Sequence, residues 1–154
     1  MPDDGSPLTQ QQSRPWRLGF WSLIVTQFQG AFNDNGLKFL VIYMILARVV
    51  DKTDRDDLQF KVGILFAAPF ILFSVAAGYL ADRFSKRTVT IVTKLFEVGV
   101  MLFAIAGLVQ PNFTLALIAV FLISTQSAFF GPSKYGLLPE ILPDSRLSWG
   151  NGIL

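Results

Sequence analysis

Residues 62–81 are twenty consecutive positions without a charged side chain. The hydrocarbon core of a bilayer is about 30 Å thick, and about 20 helical residues cross it. In hydrocarbon each backbone N–H and C=O needs a partner within the protein, and a helix supplies those partners from its own segment. This run predicts a membrane-crossing helix, and the rest of the chain is read around it. Residues 88–109 and 113–133 have similar lengths, the first with Lys94 and Glu97 inside it. Residues 18–32 and 39–47 also lack charge and join into a longer span over 18–47. A fifth apolar helix is expected to start near residue 147; it stops at Leu154, so the chain reads as the N-terminal piece of a longer protein.

Composition agrees with this reading. Hydrophobic residues make up 52% of the 154 and charged residues 16%, below the roughly one quarter usual in soluble domains. The expected fold class is an all-α membrane protein whose described partner is first of all the lipid bilayer. A net charge of +2 gives no reason to expect a nucleic-acid partner. There is no cysteine and no histidine. Disulfides, thiolate or imidazole metal sites, and Ser-His-Asp or Cys-His catalysis are thereby excluded in this chain. No metal, no cofactor and no enzymatic activity are expected.

Residues 1–13 are polar, with two prolines and three consecutive glutamines, and residues 1–17 are expected to form a disordered cytoplasmic tail. Arg14 and Arg17 precede an apolar run too long for a signal peptide, which predicts an uncleaved first span. Between spans, residues 51–59 read as a short polar loop with four aspartates, 82–87 as a tight basic turn and 110–112 as a minimal turn. Residues 131–146 contain Pro132, Pro139 and Pro143 and are expected not to form a continuous helix. Lysine and arginine in short loops set orientation. With the N-terminus inside, seven such residues (Arg14, Arg17, Arg83, Lys86, Arg87, Lys134 and Arg146) are cytoplasmic and four are outside. The expected topology is N-terminus cytoplasmic.

The segment 78–87 reads Gly-Tyr-Leu-Ala-Asp-Arg-Phe-Ser-Lys-Arg. Gly78 leaves room for another helix one turn before Asp82. Arg83, Lys86 and Arg87 are expected at the C-terminal end of the second helix, where cations complement its dipole. Asp82 is at the wrong end of that helix and needs a partner, either an arginine or another helix's N-terminus. A plain positive-inside turn would account for the basic residues but for neither Gly78 nor Asp82. The segment resembles the signature between helices 2 and 3 of the major facilitator superfamily. That resemblance implies four to five N-terminal transmembrane helices of a twelve-helix-type bundle, with Gly78, Asp82, Arg83, Lys86 and Arg87 acting as a cytoplasmic gating motif. It also implies a partner half of the same protein, C-terminal to residues 18–154.

Charges inside the spans are the candidate site. At 100° per residue, Gln27, Gly30, Ala31, Asp34 and Lys38 share one face of the first helix, and Asn35 borders it. A mid-bilayer ionisable group is costly unless it meets a partner or a wet cavity. Asp34 and Lys38 have the i,i+4 spacing to neutralise each other; alternatively they line a cavity that binds a polar headgroup, a proton or a cation. Gly36 is a point where the helix could loosen. Thr90, Lys94 and Glu97 share a face of the third helix, with Glu97 about 15 Å deep. Lys94 can reach toward the surface, whereas Glu97 needs a partner, either Lys94 or a residue of the first helix such as Lys38. Ser124, Thr125, Gln126 and Ser127 read as helix–helix hydrogen-bond formers.

Two stretches, Gly30-Ala-Phe-Asn-Asp-Asn-Gly-Leu-Lys-Phe and Gly131-Pro-Ser-Lys-Tyr-Gly-Leu-Leu-Pro-Glu with Asn151-Gly152 after it, are similar to bacterial lysophospholipid transporters. The resemblance implies a permease of the bacterial inner membrane that moves lysophospholipid by alternating access, with a coupling proton or sodium ion as a further partner. It carries over Asp34, Asn35, Lys94, Lys134 and Tyr135 as substrate or ion-binding candidates, beside Lys38 and Glu97 from the reading of the spans. Lys38, Lys94 or Lys134 would hold a phosphate, and some of the fifteen phenylalanines the acyl chain. Two alternatives stay open: a self-contained four-span scaffolding protein, and a permease of the same superfamily for a drug, sugar or organic ion.

Overall fold

The structure, a computed structural model, describes residues 16–154, so the expected tail and Arg14 lie outside the described residues apart from Trp16 and Arg17. Those two open the first helix. Five helices follow in order: α1 (Trp16–Arg48), α2 (Lys52–Arg83), α3 (Lys86–Val109), α4 (Phe113–Ile141) and α5 (Leu147–Ile153), with a 3-10 turn at Asp144–Arg146. The all-α expectation holds, and no strand occurs among the described residues. Helices α2, α3 and α4 are long and apolar enough to cross a membrane. At 33 residues α1 is about 50 Å long, but its polar middle leaves it without an apolar stretch long enough to be counted with the other three.

Each connection has a local cause. Val49 and Val50 are all that separates Arg48 from Asp51, which caps α2: its Oδ1 accepts from the N–H groups of Thr53 at 2.8 Å and Asp54 at 3.1 Å. The guanidinium of Arg55 reaches back to the Val49 carbonyl at 2.8 Å. The polar loop expected over 51–59 is therefore helix. Asp51 is the N-cap, Asp54 is a first-turn acid that complements the helix dipole, and Asp57 pairs with Lys61 at 2.6 Å. The turn at 110–112 is as tight as expected. Asn112 caps α4 through Leu115 N–H, and a Cβ at Gly107 would sit 3.1 Å from the Ala116 nitrogen, so glycine permits the close hairpin.

Two further expectations change. Helix α4 continues through Pro132 and Pro139 to Ile141, and only Pro143 lies beyond it. Each internal proline removes one backbone bond, and a membrane helix tolerates that loss when neighbouring helices surround it. α4 is that surrounded helix: it packs along both α2 and α3 and also on α1, while α1 and α3 barely meet. Helix α2 ends at Arg83, so Lys86 and Arg87 open α3 rather than close α2.

Two apolar clusters hold the bundle. One joins Leu37, Val41 and Ile45 of α1 to Val62 of α2, Val100 and Ala104 of α3, and Ala116, Val120 and Ile123 of α4. The other joins Phe20 and Leu23 to Phe130, Leu138 and Leu142. In all three of α1, α3 and α4, the polar residues lie outside the first cluster on its cytoplasm-proximal side in the expected topology. In α1 and α4 they fall between the two clusters. Outward faces remain strongly apolar, as with Phe28, Phe32, Phe39 and Tyr43 on α1 or Ile71, Leu72 and Val75 on α2. Lipid rather than water suits such faces.

Candidate functional site

Glu97 is 1% exposed and is the best-satisfied group of the interior. Three elements supply its donors. Lys94 Nζ, one turn earlier on α3, approaches Oε2 at 2.6 Å. Asn33 of α1 donates to Oε1 at 2.6 Å, and Gln126 of α4 donates to Oε2 at 3.2 Å. The helix spacing that put Lys94 and Glu97 on one face thus makes the local pair, in the weaker lysine-first order. Lys38 is not its partner.

Gly30 explains how Lys94 gets in. A Cβ there would lie 2.6 Å from Lys94 Nζ, so the bare glycine surface is where the ammonium rests against α1. The ring of Phe130 covers the ammonium from α4 at 4.7 Å, a cation–π contact out of water.

Asp34 is 8% exposed and sits beside this group. Its Oδ2 lies 2.5 Å from the Ser127 hydroxyl, which is also 3.0 Å from Gln126 Oε1. Its Oδ1 is buried with no hydrogen-bond partner. The expected alternative of an Asp34–Lys38 pair does not form. Lys38 turns outward, to Asn35 Oδ1 at 3.1 Å and the face of Phe66 of α2 at 4.5 Å. Asn35 is exposed and donates to the Ala31 carbonyl one turn back. The expected polar face of α1 is therefore split: Gly30 and Asp34 are buried, Gln27 and Lys38 half-buried, and Ala31 exposed. Gly36 does not loosen the helix, which runs unbroken.

The structure thus brings together Asp34, Lys94 and Glu97 of the candidates and separates Asn35, Lys38, Lys134 and Tyr135 from them. Lys134 and Tyr135 pair with each other, the ammonium over the ring at 4.9 Å. Sequence reasoning missed Asn33 as a member. It placed Gln126 and Ser127 as helix–helix hydrogen-bond formers, which they are, without seeing that their partners are the two buried carboxylates. Ser124 and Thr125 instead bond back to carbonyls of α4 itself. Counting polar residues on α4 at the depth of Glu97 is the signal that would have found them.

Gln126 also borders an apolar recess of about 480 Å³ on the side of α2, lined by Leu80, Phe84, Val92, Phe96 and Phe129. No group of His, Cys, Asp and Glu among the described residues could hold a metal ion.

At the α2–α3 turn, Arg83 donates to the Tyr79 hydroxyl at 2.6 Å. Lys86 pairs with Glu140 of α4 at 2.9 Å, crossing the surface of Gly136, where a Cβ would lie 2.6 Å from Lys86 Cε. Gly78 has nothing within 4 Å of a Cβ, and Asp82 is exposed with no ion pair or hydrogen bond among the described residues. No helix among the described residues uses the space that Gly78 leaves.

No family model matches the chain, and no solved structure matches it. Curated proteins do. The lysophospholipid transporters LplT of Salmonella agona (strain SL483) and Salmonella typhi are each 31% identical to it, and that of Salmonella newport (strain SL254) 30% identical. Each match runs over 142 residues, 90% of this chain and 32% of the relative, so the chain spans about a third of the length of the curated relatives it matches. With its apolar helices and its turn at 78–87, this integral membrane protein is a relative of the lysophospholipid transporters of the major facilitator superfamily.

Proposed function

We propose that the chain is part of a secondary transporter of the bacterial inner membrane, N-terminus cytoplasmic, that moves lysophospholipid by alternating access. One observation carries the reading: a buried ion pair, Lys94–Glu97, braced from α1 and α4, shares Gln126 with an apolar recess. A lysophospholipid has one phosphate and one acyl chain. Lys94 would exchange Glu97 for the phosphate, while Phe84, Phe96 and Phe129 accommodate the chain. Glu97 keeps Asn33 and Gln126 during that exchange, so its charge is not abandoned in the interior. Lys38, Asn35, Lys134 and Tyr135 then serve as outlying contacts on the approach to the site, and a proton or sodium ion would balance charge. Gly78, Asp82 and Arg87 would meet the remaining helices of the whole protein at the cytoplasmic surface and latch them.

The test is flux in proteoliposomes of the full-length protein, with fluorescent lysophosphatidylethanolamine as substrate. Wild type should transport it, and Lys94→Gln, checked for folding by its elution as a single species, should lose most of the flux. A folded Lys94→Gln variant with undiminished flux would remove Lys94 from the site. No flux from wild type, with flux of a sugar, drug or organic ion instead, would replace the lipid by that substrate.

A further inference from the structure

The Ser127 hydroxyl has one hydrogen and two acceptors. Asp34 Oδ2 is 2.5 Å away and Gln126 Oε1 is 3.0 Å away. The orientation of the Gln126 amide is set from its other end, because its Nε2 donates to Glu97 Oε2 at 3.2 Å. Oε1, an acceptor only, therefore faces Ser127. If Asp34 is ionised, two buried acceptors compete for one hydrogen and one of them faces a bare oxygen.

We infer that Asp34 holds a proton in this conformation, as the terminus of a hydrogen-bonded chain that runs through Ser127 and Gln126 to the Glu97–Lys94 pair. With hydrogen on Oδ2, Asp34 donates to Ser127, Ser127 donates to Gln126, and Gln126 donates to Glu97. Lys94 and Asn33 complete Glu97. Each hydrogen bond along the chain then has one donor and one acceptor.

Two independent observations agree. Asp34 Oδ1 is buried without any donor, and a bare oxygen is far costlier on a carboxylate than as the carbonyl of a neutral acid. Charge counting gives the same answer. The groups facing Asp34 are Lys94 and Glu97 of α3, which cancel, and the neutral Ser127 and Gln126 of α4. Lys38 of α1 is engaged with Asn35 and Phe66, and α2 carries no charge between Lys61 and Asp82. No cation is left to balance an Asp34 carboxylate.

Placing the proton on Glu97 instead would require the Gln126 amide to rotate by half a turn and would set a neutral acid against the Lys94 ammonium. On the transporter reading, Asn33 and Gln126 stay with Glu97 even when an anionic headgroup draws Lys94 away, while Asp34 Oδ1 still has no donor, so the proton stays on Asp34.

Infrared spectroscopy of the full-length protein in lipid vesicles at neutral pH tests this without any transport assay. The wild type should show a carboxylic-acid C=O band that shifts when aspartate is carbon-13 labelled and stays when glutamate is labelled. Asp34→Asn should lose the band. In Lys94→Gln the band should still move with labelled aspartate. A wild type with no acid band, as when a metal cation compensates the carboxylate, overturns the inference. So does a wild-type band that moves with labelled glutamate. Flux of lysophospholipid is a separate measurement, so either proposal can fail alone.

Discussion

At Lys94 and Glu97 the interior keeps two charges that neither the lipid nor the packing requires. Each has lost water, and each is tolerable only because the other is 2.6 Å away. Removing Lys94 alone leaves Glu97 ionised and buried with two neutral donors. Lys94→Met is therefore expected to destabilise the fold by about 3–5 kcal/mol, and Lys94→Met with Glu97→Gln by much less, since the second change removes the uncompensated charge. Unfolding in detergent followed by intrinsic tryptophan fluorescence reads both; equal losses in the two variants would mean that the pair is not a unit. The glycines beneath the two lysines should differ in the same way. Gly30→Ala pushes a Cβ into a pinned, buried ammonium and should cost about 1–3 kcal/mol, whereas Gly136→Ala meets the movable, half-exposed stem of Lys86 and should stay within about 0.5 kcal/mol. If Gly136→Ala proved the costlier, the ion pair with Glu140 would be doing more than the surface geometry allows.

At the scale of the elements, α2 shows how a polar stretch can be misread. Four aspartates between two apolar segments look like a solvated loop. Here the first is an N-cap, Asp54 sits in the first turn, where the helix dipole favours it, and Asp57 pairs with Lys61. The helix thus begins ten residues before its apolar run. Asp51→Ala should cost about 1 kcal/mol and raise hydrogen exchange at the Thr53 and Asp54 amides first. Uniform exchange along α2 in that variant would show that the cap does not set the start. In α4 the error runs the other way: prolines read as helix breakers because the sequence does not show the neighbours. Packed on three sides, α4 has enough surrounding contact to continue past two missing backbone bonds. The minimal turn at 110–112 was legible, since Asn112 as a cap and Pro111 before it are local chemistry.

For the whole molecule, the absence of cysteine makes topology directly measurable. The α1–α2 join and the α2–α3 turn are at opposite ends of a 32-residue helix, about 48 Å apart. Thr53→Cys should react with an impermeant maleimide in spheroplasts, and Ser85→Cys only after the membrane is opened. The reverse pattern would invert the proposed orientation, and labelling of both from one side would show that α2 does not cross. The exposed rows of Phe28, Phe32 and Phe39 are apolar surfaces that suit lipid rather than water.

The membrane class, the order of the helices, the 78–87 turn and the family resemblance were determined by the sequence alone. Each depends on residue type at short spacing: an uncharged run of bilayer length, a glycine one turn from an aspartate, a lysine one turn from a glutamate. What the tertiary structure decided was partnership. Asp34 could reach Lys38 by spacing, yet it meets Ser127, 93 positions away, and Glu97 meets Asn33, 64 positions away. Helical periodicity says which side chains share a face. Which other helix that face meets, and at what depth, is set by how α4 sits between its neighbours, and that rests on the fit of apolar side chains over the whole bundle rather than on any one stretch.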